Sequence, residues 1–178
     1  RALQAMTVER LDLRQVLQVR EELLAPLQRI ATRGQLLTVL VGQRQQGLLY
    51  VDGVLQGTLG PGLYGYLTLL RQVQVVTLDL RLQTLEIQGQ EILTRDRVGL
   101  RANLTALYRV TDPVTALAVV SDVKDYLYKE LQLILRQIIG QRTLEQVLGD
   151  KTSIDEELAT LIAAKAATVG VEVAAVGL

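Results

Sequence analysis

The stretch Ile92-Leu93-Thr94-Arg95-Asp96-Arg97-Val98, continued by residues 100–110 and by Thr111-Asp112-Pro113, decides the fold of this chain. A short polar run between apolar residues predicts a tight turn at 92–98. Apolar and polar residues then alternate, which predicts a strand with one buried face, as in an antiparallel sheet. The apolar face carries Leu100, Ala102, Leu104, Ala106, Tyr108 and Val110. The opposite face carries Arg101, Asn103, Thr105 and Arg109, interrupted by Leu107.

Strands are also predicted upstream, over residues 36–41, 47–51 and 54–59. The last two flank Asp52-Gly53, which is typical of a type I′ hairpin because both central residues of that turn have positive φ. Gly60-Pro61-Gly62 predicts another turn. Residues 73–93 follow as paired strands with alternating faces. One face of residues 78–83 is expected to carry Leu78, Leu80 and Leu82, and the other Asp79, Arg81 and Gln83.

Helices are predicted at both ends of the chain. A leading helix over residues 12–25 starts with capping-box spacing from Asp12 to Gln15, and Pro26 ends it or lies just beyond it. After the long strand, Asp112 is a natural N-cap ahead of Pro113. A longer helix follows over residues 122–139 and is stopped by Gly140. Its apolar stripe consists of Val123, Leu127, Leu131, Ile134, Leu135 and Ile138.

Two further capping boxes predict the last helices. Thr143 to Gln146 opens a short helix that ends near Gly149, and Ser153 to Glu156 opens the next. The apolar side of that second helix carries Ile154, Leu158, Leu161 and Ile162, and Gly170 ends it. A closing strand is predicted from Val171, Val173 and Val176. Mostly antiparallel strands, then packed helices, then a closing strand predict an α+β fold.

Composition excludes several kinds of chemistry. The 178 residues contain neither Cys nor His, which excludes disulfides, thiol nucleophiles, the usual zinc sites and imidazole bases. Net formal charge is zero, from 19 basic and 19 acidic residues, so no broad basic field attracts nucleic acid. Phe and Trp are absent as well. A leucine-rich core can replace them, and an edited sequence is the alternative.

The C-terminal region is the nearest approach to a membrane span. Residues 158–178 contain Lys165 and Glu172, whereas a span needs about 20 nearly uncharged apolar residues. A helix followed by a strand is therefore predicted there. Because the chain starts at Arg1, we expect a soluble piece of a longer protein, with any membrane anchor outside it.

Several carboxylates are candidates for acid–base catalysis or for metal binding. Candidate acid–base carboxylates are Asp79, Glu86, Glu91, Asp96, Asp122 and Asp125. Each has a structural interpretation that we favour: Asp96 in a turn, Asp122 at a helix start, Asp79 paired with an arginine. Asp155, Glu156 and Glu157 suggest a metal ligand set, but acids in the first turn of a helix are expected on electrostatic grounds alone. We therefore predict no catalytic, metal or cofactor-binding residue.

Three other patterns have a structural and a functional interpretation. The run from Gly57 to Gly62 is rich in glycine but lacks the Lys-Ser/Thr of a phosphate loop, so a turn is favoured. Asn103-Leu-Thr105 matches a glycosylation sequon, which we interpret as coincidence on a strand. A basic stripe for lipid head groups is suggested by Arg95, Arg97, Arg101 and Arg109. A salt-bridged outer sheet face, or a subunit contact, is favoured over lipid binding for this stripe.

Three segments resemble the stomatin/prohibitin/flotillin (SPFH, or band 7) family, and most closely its slipin branch. They are an opening hairpin with its Gly-Pro-Gly turn at 47–64, the stretch 93–113, and residues 131–150. With the closing Val169-Gly-Val-Glu-Val173 they cover roughly residues 36–178. The resemblance divides the chain into a leading helical segment at 1–34 and an SPFH domain at 35–178. Within the domain we expect a strand-rich part at 35–93 and an α+β part at 94–178.

The resemblance implies a bacterial, non-enzymatic, membrane-associated scaffold at the inner membrane. It implies homo-oligomeric rings or cages, and as partners membrane lipids and an NfeD-type membrane protein or a membrane protease. A long coiled-coil helix is expected beyond residue 178. Residues 67–70 depart from the family, whose members tend to be aromatic there and close to the membrane. A lipid head-group binding module without large assembly is the alternative function.

Overall fold

The computed structural model describes residues 17–32 and 34–178. Its contacts divide the chain into two compact units between Thr77 and Leu78. The first half contains β1 (Gln18–Val19), α1 (Glu21–Ile30), β2 (Leu36–Val41), β3 (Gln45–Val51), β4 (Val54–Leu59), β5 (Gly62–Leu67) and β6 (Val73–Asp79). The second contains β7 (Gln83–Leu93), β8 (Gly99–Val110), α2 (Pro113–Val119), α3 (Val123–Gly140), α4 (Leu144–Gly149), α5 (Lys151–Ala167) and β9 (Val171–Gly177).

The first unit is built on small antiparallel pairings. Strands β1, β5 and β2 form one three-stranded sheet, and β4, β3 and β6 form another. Helix α1 lies directly on β5, because a Cβ at Gly65 would come within 2.0 Å of the Leu24 side chain. A glycine at this position therefore allows the helix to approach the strand.

The Asp52-Gly53 hairpin is confirmed. Asp52 and Gly53 have φ values of 51° and 79°, and Val51 faces Val54 across the turn. The structure adds a contact that the sequence did not suggest. The Asp52 carboxylate accepts hydrogen bonds from the Arg71 guanidinium at 2.7 Å and from the Gln72 N–H at 2.8 Å. These hydrogen bonds lower the pKa of Asp52, and the bond from the Arg71 guanidinium has the largest effect.

The predicted leading helix over residues 12–25 is confirmed at 21–25 but is wrong at 17–20 and at its end, and its first residues, 12–16, lie outside the described region. Residues 18–19 form strand β1, and the Leu17 carbonyl accepts the Leu67 N–H at 2.8 Å. Helix α1 starts only at Glu21 and continues beyond Pro26 to Ile30. Proline removes one helical hydrogen bond, but Pro26 is exposed, so water can satisfy the carbonyl left without its donor.

The second unit confirms the α+β prediction. Strands β7, β8 and β9 form an antiparallel sheet whose apolar face packs on α3 and α5. The alternation of β8 is confirmed, because Ala102, Leu104, Ala106, Tyr108 and Val110 are buried. The predicted stripe of α3 is buried too, with Val123 only partly covered. N-caps from Asp112, Asp122 and Thr143 are confirmed by their hydrogen bonds to backbone N–H groups.

Two local predictions in this unit are wrong. Alternation stops after Asp79, because its carboxylate accepts the Arg81 N–H at 2.9 Å and turns the chain, so Leu82 is exposed. Helix α5 is capped by Asp150 rather than by Ser153, whose N–H donates to the Asp150 carboxylate at 3.1 Å. Asp150 is an equally good cap one turn earlier, and the helix gains hydrogen bonds by starting there.

The division between the units lies earlier than the one expected between residues 93 and 94. Strand β7 pairs with β8 along its length, from Gln83 opposite Tyr108 to Leu93 opposite Gly99, and therefore belongs to the second unit. The leading segment at 1–34 and the domain at 35–178 stay predictions.

Candidate functional site

The turn between β7 and β8 is organised by Thr94. Thr94 is buried, and its hydroxyl donates to the Asp96 carboxylate at 2.6 Å while accepting the Val98 N–H at 3.0 Å. The Thr94 N–H donates to the Val98 carbonyl at 3.0 Å and closes the turn. Arg97 takes a φ of 61° inside it. The tight polar turn predicted at 92–98 is therefore present, with a buried threonine at its centre.

This turn docks onto the loop that precedes α4. The Arg95 N–H donates to the Arg142 carbonyl at 2.8 Å, and Asp96 accepts the Leu144 N–H at 3.1 Å. Hydrogen bonds to the Asp96 carboxylate lower its pKa, and the bond from the Thr94 hydroxyl has the largest effect. The positive charge of nearby Arg95 lowers the pKa further. Asp96 is thus held in its charged form as a clamp between sheet and helices.

The other candidate carboxylates have structural partners as well. The Arg81 guanidinium lowers the pKa of Asp79 to about 2. The remaining partners are Gln88 for Glu86, Arg101 for Glu91, the Asp125 N–H for Asp122, and Lys129 for Asp125. These carboxylates stabilise turns, caps and ion pairs in the structure.

The acidic run at 155–157 lies in the second turn of α5, so its predicted place in the first turn is wrong. Asp155 accepts the Leu178 N–H at 2.9 Å, and Glu157 pairs with Arg142. Arg142 also donates to the Ile138 carbonyl at 3.0 Å. Over the described residues, no group of three acidic side chains is arranged to hold a metal ion.

The four arginines of the predicted stripe fall into two pairs. On the exposed face of the sheet, Arg109 pairs with Glu172 at 2.7 Å and Arg101 with Glu91 at 3.4 Å. Arg95 and Arg97 instead project from the β7–β8 turn and are exposed. Within residues 17–32 and 34–178 the Arg95 and Arg97 side chains have no hydrogen bond or ion pair.

The sequon residue Asn103 has a role that sequence reasoning missed. Its side-chain oxygen accepts the Gly89 N–H at 2.7 Å, where the register of β7 shifts and Gly89 has a φ of 65°. Asn103 therefore holds a bulge of the neighbouring strand. A glycine within an alternating strand was the available signal. The run from Gly57 to Gly62 links β4 to β5 and opens no helix.

Residues 67–70 depart from the family pattern; Leu67 is the last residue of β5, and residues 68–70 follow the strand. Leu69 and Leu70 have exposed fractions of 48% and 62%. Thr68 ties the segment down, because its N–H donates to the Gln35 carbonyl at 3.0 Å. Among the helices of the described chain, none is long and apolar enough to cross a membrane.

Comparison with known proteins agrees with this architecture. The family described as SPFH domain / Band 7 matches residues 39–178. An uncharacterised protein of Archaeoglobus fulgidus is 36% identical over 140 residues, which are 77% of this chain and 54% of that protein. A stomatin homolog of Pyrococcus horikoshii is 31% identical over 140 residues, which are 77% of this chain and 51% of that protein. Stomatin-like protein 3 of Mus musculus is 38% identical over 104 residues, 58% of this chain and 35% of that protein.

The second unit is an antiparallel α+β fold with a closing strand, and the family match extends over it. Fold and match together define the class of protein. The chain belongs to the SPFH domain / Band 7 family, and its relatives include proteins named for stomatin. It spans about half the length of the archaeal relatives it matches. The slipin branch and a bacterial origin stay predictions, since the relatives described above are archaeal and mammalian.

Proposed function

We propose that this chain is the SPFH domain of a membrane-associated scaffold protein that has no catalytic activity of its own. The main support for the proposal is the family match over residues 39–178. Two of the relatives are also named as stomatin homologs or stomatin-like proteins. The side chains support it, because the carboxylates with the best claim to acid–base chemistry serve as caps, clamps and ion pairs.

In this proposal the domain self-associates beside a membrane, which it reaches through lipid contacts or through segments outside this chain. The assembly organises a membrane patch or regulates a partner, such as an NfeD-type membrane protein or a membrane protease. Heterologous contacts between the outer faces of the sheet and the helices close into rings when the rotation between subunits permits it.

Crowding on a surface tests self-association. Copies labelled with donor or acceptor dyes are tethered through an N-terminal His-tag to vesicles with nickel-chelating lipids, and energy transfer is measured against surface density. We expect energy transfer above the value for randomly placed copies. Light scattering measures separately how far the chain associates in solution. Random transfer at every density and a monomer at high concentration would contradict the scaffold proposal.

Binding of lipid head groups is the second candidate, and the exposed pair Arg95 and Arg97 favours it. Their side chains leave the turn without ion pairs in the described part of the chain, so they can meet anionic phosphates. The test is co-sedimentation of the untagged chain with phosphatidylserine vesicles over a range of salt. Binding that weakens with salt and is lost in R95Q/R97Q, but kept in the matched control R101Q/R109Q, supports this candidate. Equal loss in both variants excludes a role specific to the turn.

A further inference from the structure

A pocket of about 470 Å³ lies where the C-terminal half of α5 meets the start of β9 and the cap of α2. Its floor is apolar, because Ala163 and Ala167 of α5 and Val171 of β9 line it. Both alanines are small and exposed on their helix. A long side chain from outside can therefore lie on this floor without displacing any residue of the core. We call this hollow the α5 pocket.

The mouth of the α5 pocket is acidic. The Asp112 carboxylate lines it and accepts hydrogen bonds from the Thr115 N–H at 3.1 Å and the Thr115 hydroxyl at 2.6 Å. In the part of the chain that the structure describes, no basic side chain forms an ion pair with Asp112. A carboxylate without a counter-ion above an apolar floor suits arginine or lysine, whose side chains combine an aliphatic stem with a charged head.

The β7–β8 turn carries the complementary charge. Arg95 and Arg97 are exposed in it, and among the described residues their side chains form no ion pair. The turn precedes the first residue of β8, whereas Asp112 follows the last. The 12 residues of β8 span about 40 Å of extended chain. An arginine side chain does not bridge that distance, so the turn and the α5 pocket can meet only between two copies of the chain.

We propose that the β7–β8 turn of one copy inserts an arginine into the α5 pocket of a second copy, so that the chains associate head to tail. This inference rests on the self-association proposed above and names the two surfaces that make it. The inserted guanidinium donates charge-assisted hydrogen bonds to Asp112, and its stem packs on Ala163 and Ala167. Each copy uses one turn and one pocket, so the contact is heterologous and forms a ring or a filament.

Two variants that each remove one half of the contact test this proposal. R95E/R97E reverses the charge of the turn, and A163R places a cation in the α5 pocket. All three positions are exposed, and circular dichroism checks that both variants fold. Labelled copies are tethered to vesicles as in the test of self-association. Energy transfer by either variant alone should fall to the value for randomly placed copies. An equal mixture should regain transfer between the two variants, because one intact turn and one intact pocket remain.

Two matched controls should associate like the wild type. R136E/K151E makes the same change of charge at exposed positions outside the turn, and A164R adds an arginine to α5 outside the pocket. Random transfer by the wild type would overturn self-association and this contact together. Wild-type transfer in both R95E/R97E and A163R would overturn the contact alone. Loss in each variant without recovery in their mixture would also exclude a head-to-tail arrangement of turn and pocket.

Discussion

The carbonyl oxygen of Gly170 accepts the Asp112 N–H at 3.0 Å, and the two backbones lie so close that only glycine fits. Gly170 has a φ of 68°, and a Cβ on it would lie 2.4 Å from the Asp112 carbonyl oxygen. The same Gly170 oxygen accepts the Thr111 N–H at 2.9 Å. This contact joins the start of β9 to the end of β8 and to the cap of α2.

Replacing Gly170 with alanine should lower the free energy of unfolding of the second unit by about 2 kcal/mol or more. A positive φ disfavours any residue with a Cβ, and the contact with Asp112 adds a clash with backbone, which cannot move aside cheaply. Urea unfolding followed by circular dichroism measures the change. Gly149→Ala is the control, because nothing lies within 4 Å of its added Cβ. A loss no larger than that of the control would show that the contact relaxes easily.

Thr94→Val should lower the free energy of unfolding by about 1–3 kcal/mol, because the buried site keeps its shape but loses the hydroxyl. The Val98 N–H and the Asp96 carboxylate each lose a hydrogen-bond partner. Thr105→Val, on the exposed face of β8, is the matched substitution and should change stability by less than about 0.5 kcal/mol. The same urea titration compares the two variants. Equal effects would show that the Thr94 hydroxyl does not stabilise the turn.

The stabilisation by the charge of Asp96 should depend on pH. Its folded pKa lies below the ordinary value, so the stabilisation is complete above about pH 4 and is lost as the pH falls through the folded pKa. Wild type should therefore exceed D96N in stability at neutral pH, with a difference that shrinks in acid. Asp52, Asp79 and Asp112, whose pKa values are also lowered, are present in both proteins and cancel. A difference independent of pH would show that the charge is unimportant.

The two buried tyrosines should respond oppositely to loss of the hydroxyl. In the described chain the Tyr66 hydroxyl has no hydrogen-bond partner, and burial raises the pKa of Tyr66. Tyr66→Phe should therefore leave stability unchanged or raise it by up to about 1 kcal/mol. The Tyr108 hydroxyl donates to Gln83 at 3.1 Å, so Tyr108→Phe should lower stability by about 1 kcal/mol. Thermal unfolding of the two variants measures these changes in stability. A clear loss of stability in Tyr66→Phe would indicate that the Tyr66 hydroxyl has a hydrogen-bond partner.

Candidate site residues were predictable only in part. Asp79 was expected beside an arginine and Asp122 at a helix start, because those roles depend on residues a few positions away. Asp96 was expected in a turn, but its bond to Leu144 joins residues distant in sequence.

The sequence by itself determined the features that neighbouring residues decide. Alternation along β8, the positive φ values at Asp52-Gly53 and the caps at Asp112 and Thr143 follow from side-chain periodicity and backbone preferences within a few residues. Only the tertiary structure decided that β9 returns to β8, and that α1 continues through Pro26. Strand partners and tolerated breaks depend on free energies of packing between distant segments, which local patterns do not contain.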